Sequence, residues 1–183
     1  MQWIIDFLCN NPAIIISVLA LIFTVYSFWW MNYRRGKLHV GSPRSYAAVG
    51  SEEGVLVVEF PFIFFNSRPL PLFIQNLQVV IPIDEQQLPL DFTATVDKLG
   101  KDQGRSFATQ IPVRGREAIL LICEFHRQPG GLLFYEGSYP IELQAILGNS
   151  MKWKRICRFS MNVSKRSAQS INKQFIVHDN KLE

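Results

Sequence analysis

An uncharged apolar run near the start of the chain constrains the fold more than any other feature. It covers residues 13–30, and its polar groups are three aliphatic hydroxyls and the phenol of Tyr26. A hydroxyl on a helix can hydrogen-bond to the carbonyl one turn earlier, so it costs little inside lipid. As a helix the run is about 27 Å long, close to the hydrocarbon thickness of a bilayer. We therefore predict a transmembrane helix over residues 13–33, preceded by an interfacial segment over residues 1–12.

Aromatic and basic side chains flank this run in the pattern of an interfacial anchor. Three of the four tryptophans bracket the run, and a tyrosine and two arginines follow it. Rings at headgroup depth followed by bases fix the position of a membrane helix. The sequence therefore assigns membrane anchoring to Trp3, Trp29, Trp30, Tyr33, Arg34 and Arg35.

The flanks also predict that the helix is retained and how it is oriented. A cleaved signal peptide has a basic start, whereas this start carries Asp6 and no lysine or arginine. Arg34, Arg35 and Lys37 follow the run, so the positive-inside rule places the rest of the chain in the cytoplasm. We predict a single-pass, signal-anchored protein of the plasma (inner) membrane with a cytoplasmic C-terminal domain.

Beyond residue 37 the hydrophobic pattern has a period of two, which is typical of β-strands. Short alternating runs are separated by turn residues such as Gly, Pro and Asn. The pattern predicts strands over residues 37–40, 55–65, 72–83, 89–96, 107–113, 118–125, 139–147 and 153–163. We predict an all-β domain over residues 37–164, an antiparallel sandwich of seven to nine strands, and a polar, loose tail over residues 165–183.

Five large apolar side chains are expected to form the centre of this domain. Each lies on the apolar face of an alternating strand, and such a face is buried against the core. The predicted core residues are Phe62, Phe64, Leu77, Leu121 and Trp153.

The order of strands and turns resembles that of bacterial immunoglobulin-like domains carried behind a single N-terminal membrane anchor. An apolar strand containing Glu59 ends at Asn66, and a proline turn and a second apolar strand follow. A later aliphatic run ends in Glu124 and Phe125. The resemblance covers residues 37–163 and concerns the pattern alone. It implies an immunoglobulin-like sandwich and carries no functional residue to this chain.

The three cysteines, Cys9, Cys123 and Cys157, favour a reducing compartment. Their number is odd, and no C-x-x-C pair is present. Trp153 follows Cys123 and stands beside Cys157, so the Cys…Trp…Cys framework of antibody domains is not reproduced. We expect Cys123 and Cys157 to be buried free thiols. A disulfide between them would favour an extracytoplasmic domain.

No pattern of residues predicts a catalytic, metal or cofactor site. His39, His126 and His178 are far apart in the sequence, and Cys123 and His126 would point to opposite faces of a strand. Glu124 interrupts an apolar strand. Its alternatives are a buried carboxylate and a carboxylate at a strand edge, and we favour the strand edge. We predict that the protein is not an enzyme and binds no cofactor. An enzyme whose site assembles from scattered residues is the least favoured hypothesis.

Basic residues are concentrated near the C-terminus. Residues 37–150 carry nine Lys or Arg and twelve Asp or Glu, whereas residues 151–183 carry eight and two. A period of two would send Lys152, Lys154 and Arg158 outward together. We expect them to contact anionic lipid headgroups or an acidic partner, with a solvated strand face as the alternative. Nucleic-acid binding is disfavoured, because no aromatic set is interleaved with these bases.

Anchor and domain together predict an interaction protein of the membrane. The favoured hypothesis is a protein-interaction or scaffold module, a subunit of a membrane complex, whose partners are the lipid bilayer and a protein that the sequence does not identify. The alternative is an extracytoplasmic sensor or ligand-binding domain, which requires the reverse orientation.

Overall fold

The computed structural model describes residues 12–33, 36–83, 86–101 and 104–181. Its first element, α1, extends over Pro12–Tyr33, where the sequence predicts a helix. A proline in the first turn loses no hydrogen bond, because the amide that it lacks would have no partner there. Ser17 and Thr24 donate from their hydroxyls to carbonyls four residues earlier, as expected for hydroxyls in an apolar helix. No residue of α1 is buried against the other parts of the chain that the structure describes.

In the described part of the chain, eleven strands follow α1 and form one antiparallel sheet. They are β1 (Leu38–Val40), β2 (Ser45–Val49), β3 (Leu56–Asn66), β4 (Leu72–Ile83), β5 (Gln86–Val96), β6 (Ser106–Phe107), β7 (Ile111–Val113), β8 (Ala118–Arg127), β9 (Gly137–Leu147), β10 (Lys154–Val163) and β11 (Ile176–Asp179). The main path is β10-β9-β4-β5-β8-β3-β2-β11, with β1 on β3, β6 on β5 and β7 on β4. A short helix, α2 (Lys165–Ile171), connects β10 to β11.

The sheet is curled into a half-barrel that brings its two outermost strands together. The ring of Phe159 in β10 lies 5.1 Å, centroid to centroid, from that of Phe60 in β3. The Tyr46 hydroxyl of β2 donates to the Asn162 carbonyl of β10. Asn180, directly after β11, accepts from the Asn162 amide and donates to a second carbonyl of β10. The concave face of the sheet therefore encloses one core.

The immunoglobulin-like sandwich is not confirmed, although the antiparallel β-rich fold behind one apolar helix is. A sandwich consists of two sheets packed face to face. Here hydrogen-bonded ladders connect β10 to β11 without a break through the strands between them. The sheet covers its own apolar face by curling, so no second sheet is needed.

Alternating side chains of β3 line the centre of the core, where Leu56, Val58, Phe60, Phe62 and Phe64 are fully buried. The predicted burial of Phe62, Phe64 and Leu77 is confirmed, and Leu121 is half-buried against the same cluster. The predicted burial of Trp153 is wrong, since its side chain is 39% exposed. It lies in the β9–β10 turn, ahead of the first residue of β10, and so outside the ladder that faces the core.

The segment predicted as a loose tail over residues 165–183 instead contains α2 and β11. The Ser164 side chain caps α2 by accepting from the Ser167 amide, and Ile171 at its end is fully buried. β11 pairs with β2, a strand that the sequence pattern did not reveal because two of its three buried residues are small alanines. The segment has few apolar residues, but those few reach the core and the sheet edge.

Candidate functional site

The linker after α1 runs directly into one end of the sheet. Four residues separate Tyr33 at the end of α1 from Leu38 at the start of β1, so their Cα atoms lie within about 18 Å of each other. Leu38 is opposite Asn66, the last residue of β3, which places the β3–β4 turn at the same end. The Ser67 amide and hydroxyl both donate to the Lys37 carbonyl. Lys37, the last residue of the linker, is therefore bound to this turn.

Two further turns converge on this end. The β7–β8 turn arrives there because Ala118 is opposite Phe65 near the end of β3. The β9–β10 turn arrives because the Gly148 amide donates to a carbonyl at the start of β4. The Cys157 thiol lies 3.7 Å from the Val40 carbonyl, so β10 begins beside β1. We call residues 36–37, 67–71, 114–117 and 148–154 the anchor end.

A buried amide, Asn66, holds two of these turns together. Its Nδ2 donates to the carbonyls of Leu70, Val113 and Arg114 at 2.9, 3.1 and 3.2 Å. Its Oδ1 accepts from the Arg68 amide at 3.0 Å. These bonds satisfy turn carbonyls that would otherwise lose their water on burial. The sequence indicated a turn at Asn66 but not that its side chain joins the β3–β4 turn to the β7–β8 turn.

Two glycines permit the close approach of backbone segments at the anchor end. A Cβ on Gly36 would lie 2.4 Å from the Arg68 nitrogen, and a Cβ on Gly115 would lie 1.9 Å from the Pro69 oxygen. Both neighbours are backbone atoms that the fold holds in place. A larger residue at either position would therefore push the linker, or the β7–β8 turn, away from the β3–β4 turn.

Arg116 attaches α1 to the sheet. Its backbone has φ 60, in the left-handed region, where a residue other than glycine is strained by about 1–2 kcal/mol. Its amide donates to the carbonyls of Asn66 and Arg68, which hold this conformation. Its guanidinium donates to the Met31 carbonyl in the last turn of α1. A cation at that position also interacts favourably with the helix dipole.

The surface of the anchor end is basic and carries exposed apolar side chains. Leu70, Met151 and Trp153 are 58%, 85% and 39% exposed. Arg114 lies 3.9 Å from Glu117, but both side chains are solvated, so this ion pair contributes little to stability. Glu117 is the single acid of the anchor end. The anchor end also carries six exposed bases, which are Lys37, Arg68, Arg114, Arg116, Lys152 and Lys154.

The predicted basic row on β10 is divided by a β-bulge. The register with β9 shifts between Arg155 and Cys157. Lys154 is therefore opposite Ala145, a core residue, whereas Arg158 is opposite a residue of the outer face. Because directly opposed residues share a face, Lys154 and Arg158 point to different sides of the sheet. One extra residue thus inverts the alternation that the prediction assumed.

The three residues of the predicted row consequently occupy two environments. Lys152 and Lys154 belong to the anchor end, where both are exposed. Arg158 lies on the outer face, with its Nε 4.0 Å from Glu142 Oε1. Arg155 donates to the same carboxylate oxygen at 3.0 Å. The structure brings Lys152 and Lys154 to the bases of other turns and separates Arg158 from them.

The predicted membrane-anchor residues that the structure describes lie in the last turns of α1. Trp29, Trp30 and Tyr33 are all exposed, and the ring of Trp30 stacks with that of Tyr26. Trp3, Arg34 and Arg35 lie outside the described residues, as does nearly all of the predicted interfacial segment over 1–12.

Glu124 is only 4% exposed on the outer face of the sheet, so it is buried, which was the less favoured of the two alternatives for this residue. Its strand, β8, lies between β5 and β3, so the interpretation of a strand-edge carboxylate is wrong. Its Oε1 accepts from the Arg105 guanidinium at 2.6 Å and from the Thr93 hydroxyl at 3.0 Å, and lies 2.9 Å from His126 Nε2. A local apolar pattern does not show that a distant loop covers the polar side chain.

That loop is the connection between β5 and β6. Glu59, directly opposite Glu124 on β3, is also buried and accepts from the Gly100 amide of the loop at 2.7 Å. Arg105, at the other end of the loop, reaches Glu124. The two carboxylates thus hold the loop on the sheet. No group of three or more His, Cys, Asp and Glu that could hold a metal occurs among the described residues.

The titratable groups near this cluster have shifted pKa values. Burial lowers the pKa of His126, the Glu124 carboxylate opposes that shift, and Arg105 adds to it. Cys123 points into the core on the other face of β8, and burial raises its pKa to about 12. A thiol with that pKa is not a nucleophile near neutral pH.

The outer face also carries an apolar surface, which we call the outer patch. It consists of Ile63, Phe65 and Leu120, and Ile63 is directly opposite Leu120 on the neighbouring strand. Ile63 and Leu120 are 51% and 64% exposed. A cleft of ≈ 230 Å³ adjoins them, with Pro61 and Arg44 in its wall. Contiguous exposed apolar side chains of this kind mark interaction surfaces.

Comparison with known proteins shows distant structural similarity and no sequence match. No protein-family model and no curated protein sequence matches the chain. A crystal structure of a protein from Archaeoglobus fulgidus is similar over 79% of this chain and 99% of that one, at 9% sequence identity and a TM-score of 0.40. This likeness is too distant to bear on function.

Proposed function

We propose that the chain is a single-pass membrane protein whose half-barrel is a protein-interaction or scaffold module on the cytoplasmic face of the membrane. One observation carries the proposal: α1 has 22 residues, a mean hydropathy of 2.1 over its most apolar window, and none of that window buried. Such an apolar surface needs a covering that the other described residues do not supply. A bilayer fits it, because a helix of this length spans about 30 Å.

The outer patch supports the interaction role. Cross-strand apolar pairs normally face a core, whereas Ile63 and Leu120 face away from it. The buried polar residues nearby support a structural rather than a catalytic role, since Glu124 already has three partners on one oxygen. Cys123 and Cys157 are free thiols, which favours the cytoplasmic version over the extracytoplasmic sensor or ligand-binding domain.

One substitution tests both the side of the membrane on which the half-barrel lies and the contact that the outer patch makes with a partner. In the full chain, Leu120→Cys places a reactive thiol on the outer patch, and Tyr135→Cys, also at an exposed position, is the matched control. We expect both to resist an impermeant thiol reagent in intact cells and to react after permeabilisation. A bifunctional thiol crosslinker should give a discrete heavier species from the Leu120 variant alone.

Labelling of both variants in intact cells would show that the half-barrel lies outside the cytoplasm and would favour the sensor alternative. Identical crosslinking of the two variants would remove the outer patch as an interaction surface. Recovery of the chain in the soluble fraction after membranes are pelleted would contradict the anchor itself.

A further inference from the structure

We propose that the anchor end lies against the anionic surface of the bilayer that α1 crosses, so that the half-barrel has a second contact with the membrane besides its helix. This inference rests on the proposed membrane anchoring. Three turns and the linker bring basic and apolar side chains together at the end of the sheet that adjoins α1.

The linker keeps the anchor end close to the membrane surface. It has four residues between Tyr33 and Leu38, and its described residues are bound to the β3–β4 turn, since Arg68 donates to the Gly36 carbonyl at 2.8 Å and Ser67 donates to the Lys37 carbonyl. Arg116 donates to the Met31 carbonyl inside α1 itself. Such a tether raises the local concentration of headgroups around the turns, so that individually weak contacts become effective.

The charge distribution favours an anionic surface over a neutral one. The anchor end carries six bases and one acid, whereas residues 37–150 as a whole contain more acids than bases. Arg68 and Arg116 are engaged with backbone carbonyls, so Lys37, Arg114, Lys152 and Lys154 are the side chains that would contact headgroup phosphates. The acidic remainder of the domain is repelled by the same surface, which orients the half-barrel with the anchor end toward the bilayer.

The exposed apolar side chains fit the interfacial region of the same bilayer. Leu70 and Met151 are at the tips of separate turns, and both are more than half exposed. Trp153 stands between Lys152 and Lys154 in the sequence. An aromatic ring flanked by bases is favoured at headgroup depth, where the ring is partly dehydrated and the bases meet phosphate.

The experiment places a reporter on the β9–β10 turn of the full chain. Met151→Cys, labelled with an environment-sensitive fluorophore, is reconstituted into vesicles of phosphatidylcholine alone or with phosphatidylglycerol, and the parent chain labelled in the same way gives the background. We expect quenching by the neutral solute acrylamide to be weaker in the anionic vesicles. The difference should disappear in about 1 M salt, where the Debye length is about 3 Å.

Two triple substitutions with the same charge change separate a local contact from a general electrostatic effect. Arg114→Gln/Lys152→Gln/Lys154→Gln should restore quenching in anionic vesicles to the neutral-vesicle value, with each base removed lowering the docked-to-undocked ratio about fivefold. Lys98→Gln/Lys101→Gln/Lys173→Gln, at exposed bases outside the anchor end, should leave the protection unchanged.

The two proposals fail in different ways. A chain that floats with the vesicles but shows the same quenching in both lipids retains its anchor and has no docked anchor end. The bases would then serve an acidic protein partner or solvent, and the inference is wrong. Equal effects of the two triple variants would overturn it as well. A chain that does not float with either vesicle contradicts the membrane anchoring, and the docking with it.

Discussion

Single polar side chains connect segments of the half-barrel that lie outside its β-ladders. Asn66 links the β3–β4 and β7–β8 turns, and Asn180 links the end of β11 to β10 and to the Pro43 carbonyl. Both asparagines offer one acceptor and two donors, as a strand offers amides and carbonyls. Each therefore replaces ladder hydrogen bonds at a point where the chain turns or the sheet ends.

His178 makes the stability of the fold dependent on pH. It is 8% exposed, its ring lies 5.4 Å from that of Tyr46, and its Nε2 has no hydrogen-bond partner among the described residues. Burial lowers the pKa of His178. Because the folded pKa is below the unfolded value of about 6.5, the unfolded chain binds the proton more readily, and the free energy of unfolding falls as pH drops below about 6.5.

Urea unfolding of the full chain in micelles, measured above and below about pH 6.5, checks this expectation. His178→Gln should reduce the loss of stability on acidification, while His126 continues to contribute in the same direction. Val177→Ala, at a half-exposed neighbour that does not titrate, is the control and should leave the pH slope unchanged. The slope is the quantity compared, since the substitution at residue 178 also changes packing. An unaltered slope in the His178 variant would show that its protonation is not linked to unfolding.

At the scale of elements, the C-terminal segment completes the sheet. β11 covers the edge of β2, and α2 places Ile171 in the core. An uncovered strand edge presents unpaired amides and carbonyls that invite pairing with other chains. The segment is therefore an integral part of the domain rather than an appendage.

Deleting residues 165–183 should destabilise the chain by at least the cost of removing one buried isoleucine, about 2–5 kcal/mol. We expect a lower urea midpoint in micelles and faster digestion by protease. Lys165→Ala/Arg166→Ala, which changes exposed residues of α2 only, should behave as the parent chain does. If the truncated chain unfolds at the same urea midpoint as the parent chain, the segment is a loose tail, as the sequence predicted.

Local periodicity predicted most strands, because alternating apolar and polar residues mark a strand with one apolar side. Alternation does not show how the strands are arranged. Curling of the sheet could not be predicted, since it depends on the meeting of β3 with β10, far apart in sequence. At the candidate site, Lys152 and Lys154 were identified, but the bulge at Ile156 separated Arg158 from them. The bases of the other turns were not linked to these, because only the fold brings the turns together.

At the scale of the whole molecule, the half-barrel has one core shared by both arms of the curled sheet. Phe159 reaches from β10 to β3, where its ring meets Phe60 and Phe62 edge-on at 5.1 and 5.7 Å. These contacts join strands that lie far apart along the hydrogen-bonded path. Contacts between aromatic side chains therefore hold the two arms together across the core, as hydrogen-bonded ladders hold neighbouring strands together along the sheet.

Phe159→Ala should lower the free energy of unfolding by about 3–5 kcal/mol, because it leaves a cavity between the two arms. Phe107→Ala, at a side chain that is 86% exposed, is the matched control and should cost far less. Urea titration of both variants in micelles gives the comparison. Similar midpoints for the two variants would mean that β10 does not close on β3.

The pairing of β2 with β11 also determines when the domain can form during synthesis. β2 ends at Val49, and its outer partner begins at Ile176. At about 5–20 residues per second, the ribosome needs roughly 6–25 s to make the chain between them. Throughout that time β2 lacks its neighbour, and such long-range pairings are slow to form even afterwards. α1 precedes every described strand, so the helix that we propose as the membrane anchor is complete well before the sheet can close.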